Sequence, residues 1–133
     1  MRPIVLRLRP GDDLRQALEA RARAHGTSWI LLSGIGSLRM AMLRYAGAEE
    51  PVKRAGPLEI LSLSGTVCPD GAHLHALLAD AEGVPRGGHV CAGCEVATTA
   101  ELTLLESGNV VLRRALDAET GYHELLVTQE PPH

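Results

Sequence analysis

Aromatic side chains are scarce in this chain of 133 residues. They make up 2% of the sequence, as Trp29, Tyr45 and Tyr122, and there is no Phe. The 45% of hydrophobic residues are therefore mainly aliphatic, and we expect a core of Leu, Val, Ile and Ala. Proteins that hold single-stranded nucleic acid usually stack its bases on aromatic side chains. The scarcity of aromatics argues against that class of protein.

An excess of positive charge is also lacking. The formal net charge is −3 and the isoelectric point is near 6.0, whereas domains that bind nucleic acid on their own usually carry a basic excess. The charge is uneven, because residues 1–56 carry +5 and residues 57–133 carry −8. Solvated faces rich in Arg explain this distribution, and a positive face built from the first half of the chain is the alternative.

Long apolar runs are absent. None approaches the roughly 18–20 residues that a membrane-spanning helix needs, and residues 1–11 are too polar for the core of a signal peptide. The three cysteines, an odd number, are then expected to be reduced thiols in a cytoplasmic protein without a membrane partner. Cys91 and Cys94 have Cys-x-x-Cys spacing, which we interpret as two incidental thiols, with a metal ligand near His89 as the alternative.

The length of the chain indicates one domain. A chain of 133 residues can bury a core without disulfide bonds or metal ions as staples. No internal repeat, low-complexity segment or linker interrupts it. We therefore expect residues 1–133 to form a single domain, with a loose tail at Pro131–His133.

One segment carries the signals of a helix. Asp13 is a good N-cap residue, and Gln16, three positions later, completes a capping-box pattern. Gly26 suits the left-handed conformation that ends many helices. The sequence predicts a helix over residues 13–25. Its apolar face consists of residues at helical spacing, namely Leu14, Ala17, Leu18 and Ala22.

Most of the remaining chain is typical of strands. The predicted strands cover residues 4–8, 28–32, 40–45, 58–67, 72–79, 96–105, 109–116 and 122–128. Residues 72–79 also fit a helix by composition, but we favour a strand because a Gly-rich return follows at residues 83–88. Residues 96–105 and 109–116 are expected to pair as a hairpin around Ser107–Asn109. With about eight strands and one main helix, the fold class is α+β with a mostly antiparallel sheet.

Two local patterns lead to further expectations. Gly34-x-Gly36 follows a strand, as in the dinucleotide-binding fingerprint. However, Arg39 stands where that fingerprint has its third Gly, and a strand rather than a helix comes next. We therefore interpret the glycines as a tight turn or bulge between two strands. In residues 58–67, alternation puts Glu59, Leu61 and Leu63 on one face, where a Glu is unusual.

Three of the six histidines lie within Gly65–Thr99. On a strand, His73 and His75 point to the same side, and a hairpin return places His89 opposite them. Three imidazoles with a fourth position open are typical of catalytic zinc, although other divalent metals accept them too. The alternative is that the rings bond one another or line a polar pocket without metal. Further polar residues are candidates for the same cleft, namely Glu59, Ser62, Ser64 and Thr98.

Several motifs together resemble one family. They are Leu32–Leu38, Gly56–Thr66, Asp70–His75, Gly87–Val90 and Thr98–Leu102. In this order and spacing they resemble the PPC ("plants and prokaryotes conserved") domain over about residues 3–127.

The resemblance implies an α+β domain that assembles as a homotrimer, and a fold similar to that of acetolactate decarboxylase, a zinc enzyme with histidine ligands. The His-x-His and Gly-Gly-His motifs of the family match His73, His75 and His89, which makes these the candidate metal ligands, with zinc as the expected cofactor. Stand-alone prokaryotic members are often labelled DNA-binding proteins. The Arg-Gly-Arg-Pro hook with which plant members grip DNA is missing from this sequence, so we expect at most weak DNA binding.

These observations leave three hypotheses for function, in the following order. The first is a homotrimeric module that binds a metal or a small ligand, with a regulatory role and no chemistry of its own. The second is a protein associated with DNA, directly or through partners. The third is a zinc-dependent, lyase-like enzyme acting on a small carboxylate, which a cationic residue such as Arg39 or Arg44 near the metal would favour.

Overall fold

The helix and strand signals of the sequence produce one helix and eight strands within residues 2–129, which are the residues that the computed structural model describes. In chain order these elements are β1 (Pro3–Leu8), α1 (Leu14–His25), β2 (Trp29–Arg44), β3 (Val52–Cys68), β4 (Gly71–Ala79), β5 (Pro85–Val90), β6 (Glu95–Glu106), β7 (Val110–Leu116) and β8 (His123–Gln129). The predicted class, α+β with a mostly antiparallel sheet, is confirmed. The predicted tail at 131–133 lies outside the described residues.

The helix α1 forms where the sequence predicts it. The Asp13 carboxylate accepts a hydrogen bond from the Gln16 N–H at 2.9 Å, and Gly26 ends the helix with a φ of 62°. The buried residues of α1 are Leu14, Leu18 and Ala22, which fall on the predicted face. This face packs against β3, β4 and β6. Within residues 2–129, no helix is long and apolar enough to cross a membrane.

Six strands form one sheet that bends back on itself. Their order is β1-β6-β2-β3-β4-β5, and every pair of neighbours is antiparallel. In addition, β5 pairs with the end of β2, where Leu43 lies opposite Val90 and Arg44 opposite His89. Strands β2, β3, β4 and β5 therefore close into a ring. The closure brings the end of β2 next to the histidine of β5.

The core is aliphatic, as expected. Its fully buried side chains are mostly leucines, such as Leu31, Leu63, Leu74 and Leu102, and Trp29 is the one large aromatic among the buried residues described. Burial of each such leucine contributes about 1.5–3 kcal/mol to the free energy of unfolding. The alternation along β4, where Leu74, Ala76 and Leu78 are buried, leaves the intervening side chains on the outer face of the sheet.

The segment Ser33–Ser37 does not separate two strands. The expected turn is wrong, because β2 runs through the segment without a break, but the expected bulge agrees with the shifts of register on both sides of it. A Cβ at Gly36 would overlap the backbone of Thr99, and a Cβ at Gly34 would lie 2.8 Å from the Leu102 side chain. The two glycines are therefore needed for the close approach of β2 to β6.

The side chains of β3 do not follow the predicted alternation between the two faces of the sheet. The pairing of β3 with β4 shifts register between Ile60 and Ser62. Such a bulge reverses the sides of the residues that follow it. Leu63 is consequently buried, whereas Glu59 and Leu61 are exposed to solvent. This explains how a Glu occurs beside apolar neighbours: Glu59 faces water.

A strand begins within the Gly-rich return itself. Strand β5 starts at Pro85, and the turn before it is held by Asp80, whose carboxylate accepts hydrogen bonds from the N–H groups of Glu82 and Val84. Strand β3 likewise begins earlier than the predicted strand of residues 58–67, at Val52.

The last two strands form a separate sheet. β7 pairs with β8 rather than with β6, so the predicted hairpin of residues 96–105 with 109–116 is wrong. The physical reason is that both edges of β6 are already occupied, by β1 and by β2. A turn does form, with Ser107 accepting a hydrogen bond from the Val110 N–H, but it directs the chain out of the main sheet.

Replacing Gly36 by Ala should destabilise the fold more than replacing Gly108 by Ala. Both glycines have a positive φ, 151° and 65°, but only at Gly36 would the new methyl group meet backbone. We expect an additional loss of about 1–3 kcal/mol in the free energy of unfolding for G36A, as for other overpacked sites. Urea denaturation measures it, and equal losses in the two variants would contradict the close approach of β2 and β6.

Candidate metal centre

Two histidines of the candidate site lie on β4. His73 and His75 are separated by one residue, Leu74, which is fully buried. Because side chains alternate along a strand, both imidazoles lie on the outer face of the sheet. Their Nε2 atoms are 3.2 Å apart. The strand assignment for residues 72–79, preferred to a helix on sequence grounds, is thus confirmed.

The third histidine comes from β5. His89 is the direct cross-strand partner of His75. The ring centroids lie 4.9 Å apart for His73 and His75, 5.2 Å for His73 and His89, and 5.9 Å for His75 and His89. One ligand nitrogen from each ring lies within 4.8 Å of the other two. We call these three residues the histidine triad.

A glycine supports the triad from the neighbouring strand. Gly65 of β3 pairs with Leu74, and a Cβ at this position would overlap the carbonyl oxygen of His73. Its φ of 145° is also one that residues with a Cβ rarely adopt. Gly65 therefore lets β3 and β4 approach closely directly beneath the triad.

Three arginines from distant parts of the chain surround the triad. Arg15 of α1 places Nη1 3.3 Å from His89 Nε2 and donates a hydrogen bond to the Val90 carbonyl oxygen at 2.9 Å. Arg44 lies opposite His89 in the pairing of β2 with β5. Arg114 of β7 donates a hydrogen bond to the Thr66 hydroxyl.

The first residues of α1 are fixed to the segment that follows β5. The Leu14 N–H donates to the Cys94 carbonyl oxygen at 2.8 Å, and the Gly93 N–H donates to the Asp13 carboxylate at 2.6 Å. Asp13 is thus both the helix cap and the anchor of this loop. The result is that the first turn of α1, which carries Arg15, lies beside His89.

Open depressions adjoin the triad. The largest, of about 540 Å³, is bordered by His73, His89 and the three arginines. Two further depressions, of about 290 and 380 Å³, also reach the triad. A volume of about 300–1,000 Å³ is typical of sites for small molecules.

The surroundings favour the neutral form of His73 and His89. Burial, together with the positive charges of Arg15 and Arg44, lowers the pKa of His89 to about 4. Burial and the nearby Arg114 also lower the pKa of His73. Neutral imidazole is the form that binds metal ions.

The triad fits the requirements of a metal such as zinc. In tetrahedral zinc, bonds of about 2.0–2.1 Å place ligand nitrogens roughly 3.3–3.4 Å apart, so side-chain rotations would have to draw together three nitrogens that now lie within 4.8 Å. Three neutral imidazoles leave a fourth position open. The residues that would hold the ion are therefore His73, His75 and His89.

The other candidate residues are spread along the sheet. Ser64 is the cross-strand partner of His75 and borders the 290 Å³ depression. Ser62 pairs with Leu77, one step farther from the triad, and Glu59 pairs with Ala79, farther still. Thr98 lies on β6, where its N–H bonds to Ser37. Of these four, the structure brings only Ser64 next to the histidines.

The cysteines and Arg39 lie outside the cluster. Among the described residues, the group that could hold a metal ion contains the triad alone. Burial raises the pKa of Cys94 to about 11, and Cys94 bonds to the backbone of Met42, so it is not a thiolate at neutral pH. Arg39 pairs with Glu95 at 3.5 Å. Of the two arginines considered from sequence, Arg44 is the one beside the triad.

Sequence reasoning missed Arg15 and Arg114. Arg15 follows the first buried residue of an amphipathic helix and looks like an ordinary solvated position. Arg114 lies in the hairpin whose pairing was wrongly predicted. No local pattern identifies either residue, because each reaches the triad only through tertiary packing.

The fold and the histidine triad define an α+β domain with a candidate metal centre. The chain belongs to the Plants and Prokaryotes Conserved (PCC) domain family, whose model matches residues 1–108. The resemblance found in the motifs is thereby confirmed.

Two curated relatives, both called bifunctional protein GlmU, are 47% identical to the chain. They come from Synechococcus sp. strains JA-3-3Ab and JA-2-3B'a(2-13), and they align over 126 and 121 residues, which are 94% and 90% of this chain. These alignments cover 20% and 19% of the two relatives. The chain thus spans about a fifth of the length of the curated relatives it matches.

Solved structures share the fold. A hypothetical protein from Salmonella cholerae-suis is 36% identical, with a TM-score of 0.91 over 98% of this chain and 95% of that chain. A metal-containing protein from Archaeoglobus fulgidus is 35% identical, with a TM-score of 0.75 over 95% and 94%. A "Putative DNA-binding protein" from Ralstonia eutropha is 24% identical, with a TM-score of 0.78 over 91% and 88%, which shows the fold alone.

The stability of the metal-free protein should depend on His89 in mildly acidic solution. The pKa of His89 is about 4 in the folded chain and 6.5 as the ordinary value, so the unfolded chain binds more protons between these values. The contribution of His89 to stability therefore decreases as the pH falls from about 6.5 towards 4.

As the pH falls from about 6.5 towards 4, we expect the free energy of unfolding of His89→Gln to decrease by about 1 kcal/mol less than that of the wild type. The difference is small because solvent screens the charge of a partly exposed group. Urea denaturation in the presence of a chelator measures it. His25→Gln, on the exposed end of α1, controls for removal of a histidine outside the triad. Parallel pH profiles for H89Q and the wild type would contradict the description of the site.

Proposed function

We propose that this protein is a metal-binding module in which His73, His75 and His89 hold one divalent ion. The observation that carries the proposal is the convergence of three ligand nitrogens within 4.8 Å on a face bordered by open depressions. The metal-containing relative from Archaeoglobus fulgidus, 35% identical over nearly the whole chain, supports it. Zinc is our first choice, since imidazole suits zinc and three ligands leave one position open.

The module we propose is a homotrimer that senses or carries a small ligand at the metal. Large apolar side chains on neighbouring strands of the outer face support self-association, because exposed apolar patches usually mark contact surfaces. Ile35 of β2 is 53% exposed, Leu61 of β3 46% and Leu77 of β4 42%. Leu77 is two residues from His75, so this apolar surface lies next to the triad.

Replacing His75 by Ala should abolish zinc binding. His75 faces both other histidines, and two imidazoles bind a divalent ion far more weakly than three. Native mass spectrometry of zinc-loaded protein measures the number of ions and of subunits in the same spectrum. We expect three ions in a trimer for the wild type and for the control His25→Ala, and an ion-free trimer for H75A.

Two outcomes would contradict parts of this proposal. Equal zinc content in H75A and H25A would exclude the triad as the metal site. A monomer at all protein concentrations would exclude the trimer while leaving the metal site intact.

Association with DNA is the second candidate. Its support is the fold shared with the Ralstonia protein, whose name describes DNA binding, and the positive charge of residues 1–56. The net charge of −3 opposes it, since DNA affinity depends mainly on contacts to phosphates.

Fluorescence anisotropy with AT-rich and GC-rich duplexes should therefore show binding weaker than about micromolar at physiological ionic strength, with a steep loss as salt is added. Specific binding tighter than this would reverse the order of the two candidates.

A lyase-like enzyme acting on a small carboxylate is the third candidate. Its support is the open coordination position together with Arg44, a cationic residue next to His89. The proton-transfer group that such chemistry needs is not identified among Glu59, Ser62, Ser64 and Thr98, so we place this candidate last.

A further inference from the structure

We propose that Arg15, Arg44 and Arg114 form a receptor for a small oxyanion, which binds the metal at its open position. This inference rests on the metal site proposed above and names the class of ligand that the site takes. The chemistry common to such ligands is a carboxylate or phosphate group, because guanidinium groups recognise the paired oxygens of both.

The three guanidinium groups share one space with the histidines. Arg15, Arg44 and Arg114 all border the 540 Å³ depression, together with His73 and His89. They come from α1, β2 and β7, three elements far apart in sequence. Guanidinium groups that converge on one depression are suited to recognising an anion.

The side chain of Arg44 has only a weak partner in the protein. Its one side-chain hydrogen bond among the described residues runs to the Ala48 carbonyl oxygen at a long 3.4 Å. Within residues 2–129 it has no carboxylate oxygen within 4.0 Å, since the three ion pairs of this part involve other arginines. Arg44 also borders the 380 Å³ depression that reaches all three histidines. Its charge is thus available to a ligand at the triad.

Arg114 has an unused hydrogen-bond donor. Its Nη2 bonds to Thr66, but its Nε atom is buried and has no partner among the described residues. A buried N–H of a charged group without an acceptor costs free energy. Arg114 borders the depression, so an anion there would lie beside its guanidinium group.

Arg15 is held in place by protein groups. Its Nε pairs with Glu19 at 2.8 Å, and its Nη1 donates to Val90 while lying near His89 Nε2. If His89 Nε2 coordinated a metal, the metal would replace Arg15 Nη1 as the partner of that nitrogen. Arg15 would then lie beside the coordination sphere with a donor free for a ligand of the metal.

Three imidazole ligands would add no negative charge to a bound metal. The triad consists of neutral side chains and contains no carboxylate. Glu49, Asp70 and Glu124 also border the depression and offset part of its positive charge, but none of them belongs to the group that could hold the metal. A divalent ion next to three guanidinium groups therefore favours an anionic fourth ligand.

The test uses the full chain loaded with cobalt, whose visible absorption reports changes in its ligands. Acetate and methyl phosphate are titrated separately into the wild type, Arg44→Gln and the control Arg113→Gln. Arg113 is adjacent to Arg114 on β7 but borders a different depression. We expect a saturable spectral change in the wild type, an affinity at least about tenfold lower in R44Q, and no loss in R113Q.

A second readout separates anion recognition from a structural role of Arg44. Removing a positive charge beside the metal should leave cobalt affinity in anion-free buffer unchanged or higher in R44Q, whereas structural damage would lower it. The two probes distinguish a carboxylate ligand from a phosphate ligand, and a response to either supports the proposal.

The outcomes also separate this inference from the proposed metal site. A wild type that binds cobalt but shows no spectral change, or the same change in all three proteins, would overturn the oxyanion receptor alone. Absence of stoichiometric cobalt binding would overturn the metal site and this inference together.

Discussion

The pairing register of β4 with β5 is the constraint on which the site depends. His75 lies opposite His89, and alternation puts His73 on the same face. A slip of one residue would turn either strand over and move its histidines to the buried side, which the core prevents because Leu74 and Val90 would be exposed in their place. The hydrophobic effect acting on these two side chains thus fixes the geometry of three polar ones. Closure of β5 onto β2 then adds Arg44 through the pairing with His89.

Much of this arrangement is encoded locally and could be predicted. Asp13 and Gly26 determine where the helix begins and ends, because each satisfies backbone groups of its own segment. The strand around His73 and His75 was identified from the Gly-rich return that follows it. The convergence of the triad then required only the two-residue period of a strand and one antiparallel return. Short-range rules of this kind hold whenever the interacting residues belong to consecutive elements.

The features that sequence reasoning missed depend on contacts between distant segments. The bulge after Ile60 moves Leu63 to the buried face, and nothing in the residues of β3 signals it. The glycines at positions 34 and 36 resembled a turn, although their role is to let β2 approach β6. The separate pairing of β7 with β8 follows from the occupied edges of β6, which is a property of the whole sheet. Arg15 and Arg114 reach the triad for the same reason, through packing of elements that are far apart in the chain.

In the proposed site, electrostatics would connect the metal and its ligand. Neutral imidazoles bind the ion without cancelling its charge, and the nearby guanidinium groups oppose it, so metal affinity alone should be moderate. An anion that contacts both the ion and an arginine removes this opposition. The anion would then raise the protein's affinity for the metal. By thermodynamic linkage, the metal would raise the protein's affinity for the anion by the same factor. A carboxylate in place of one histidine would bind the ion more firmly and lose this coupling. The proposed combination of three histidines and three arginines would therefore suit a site that retains its metal according to the anion that is present.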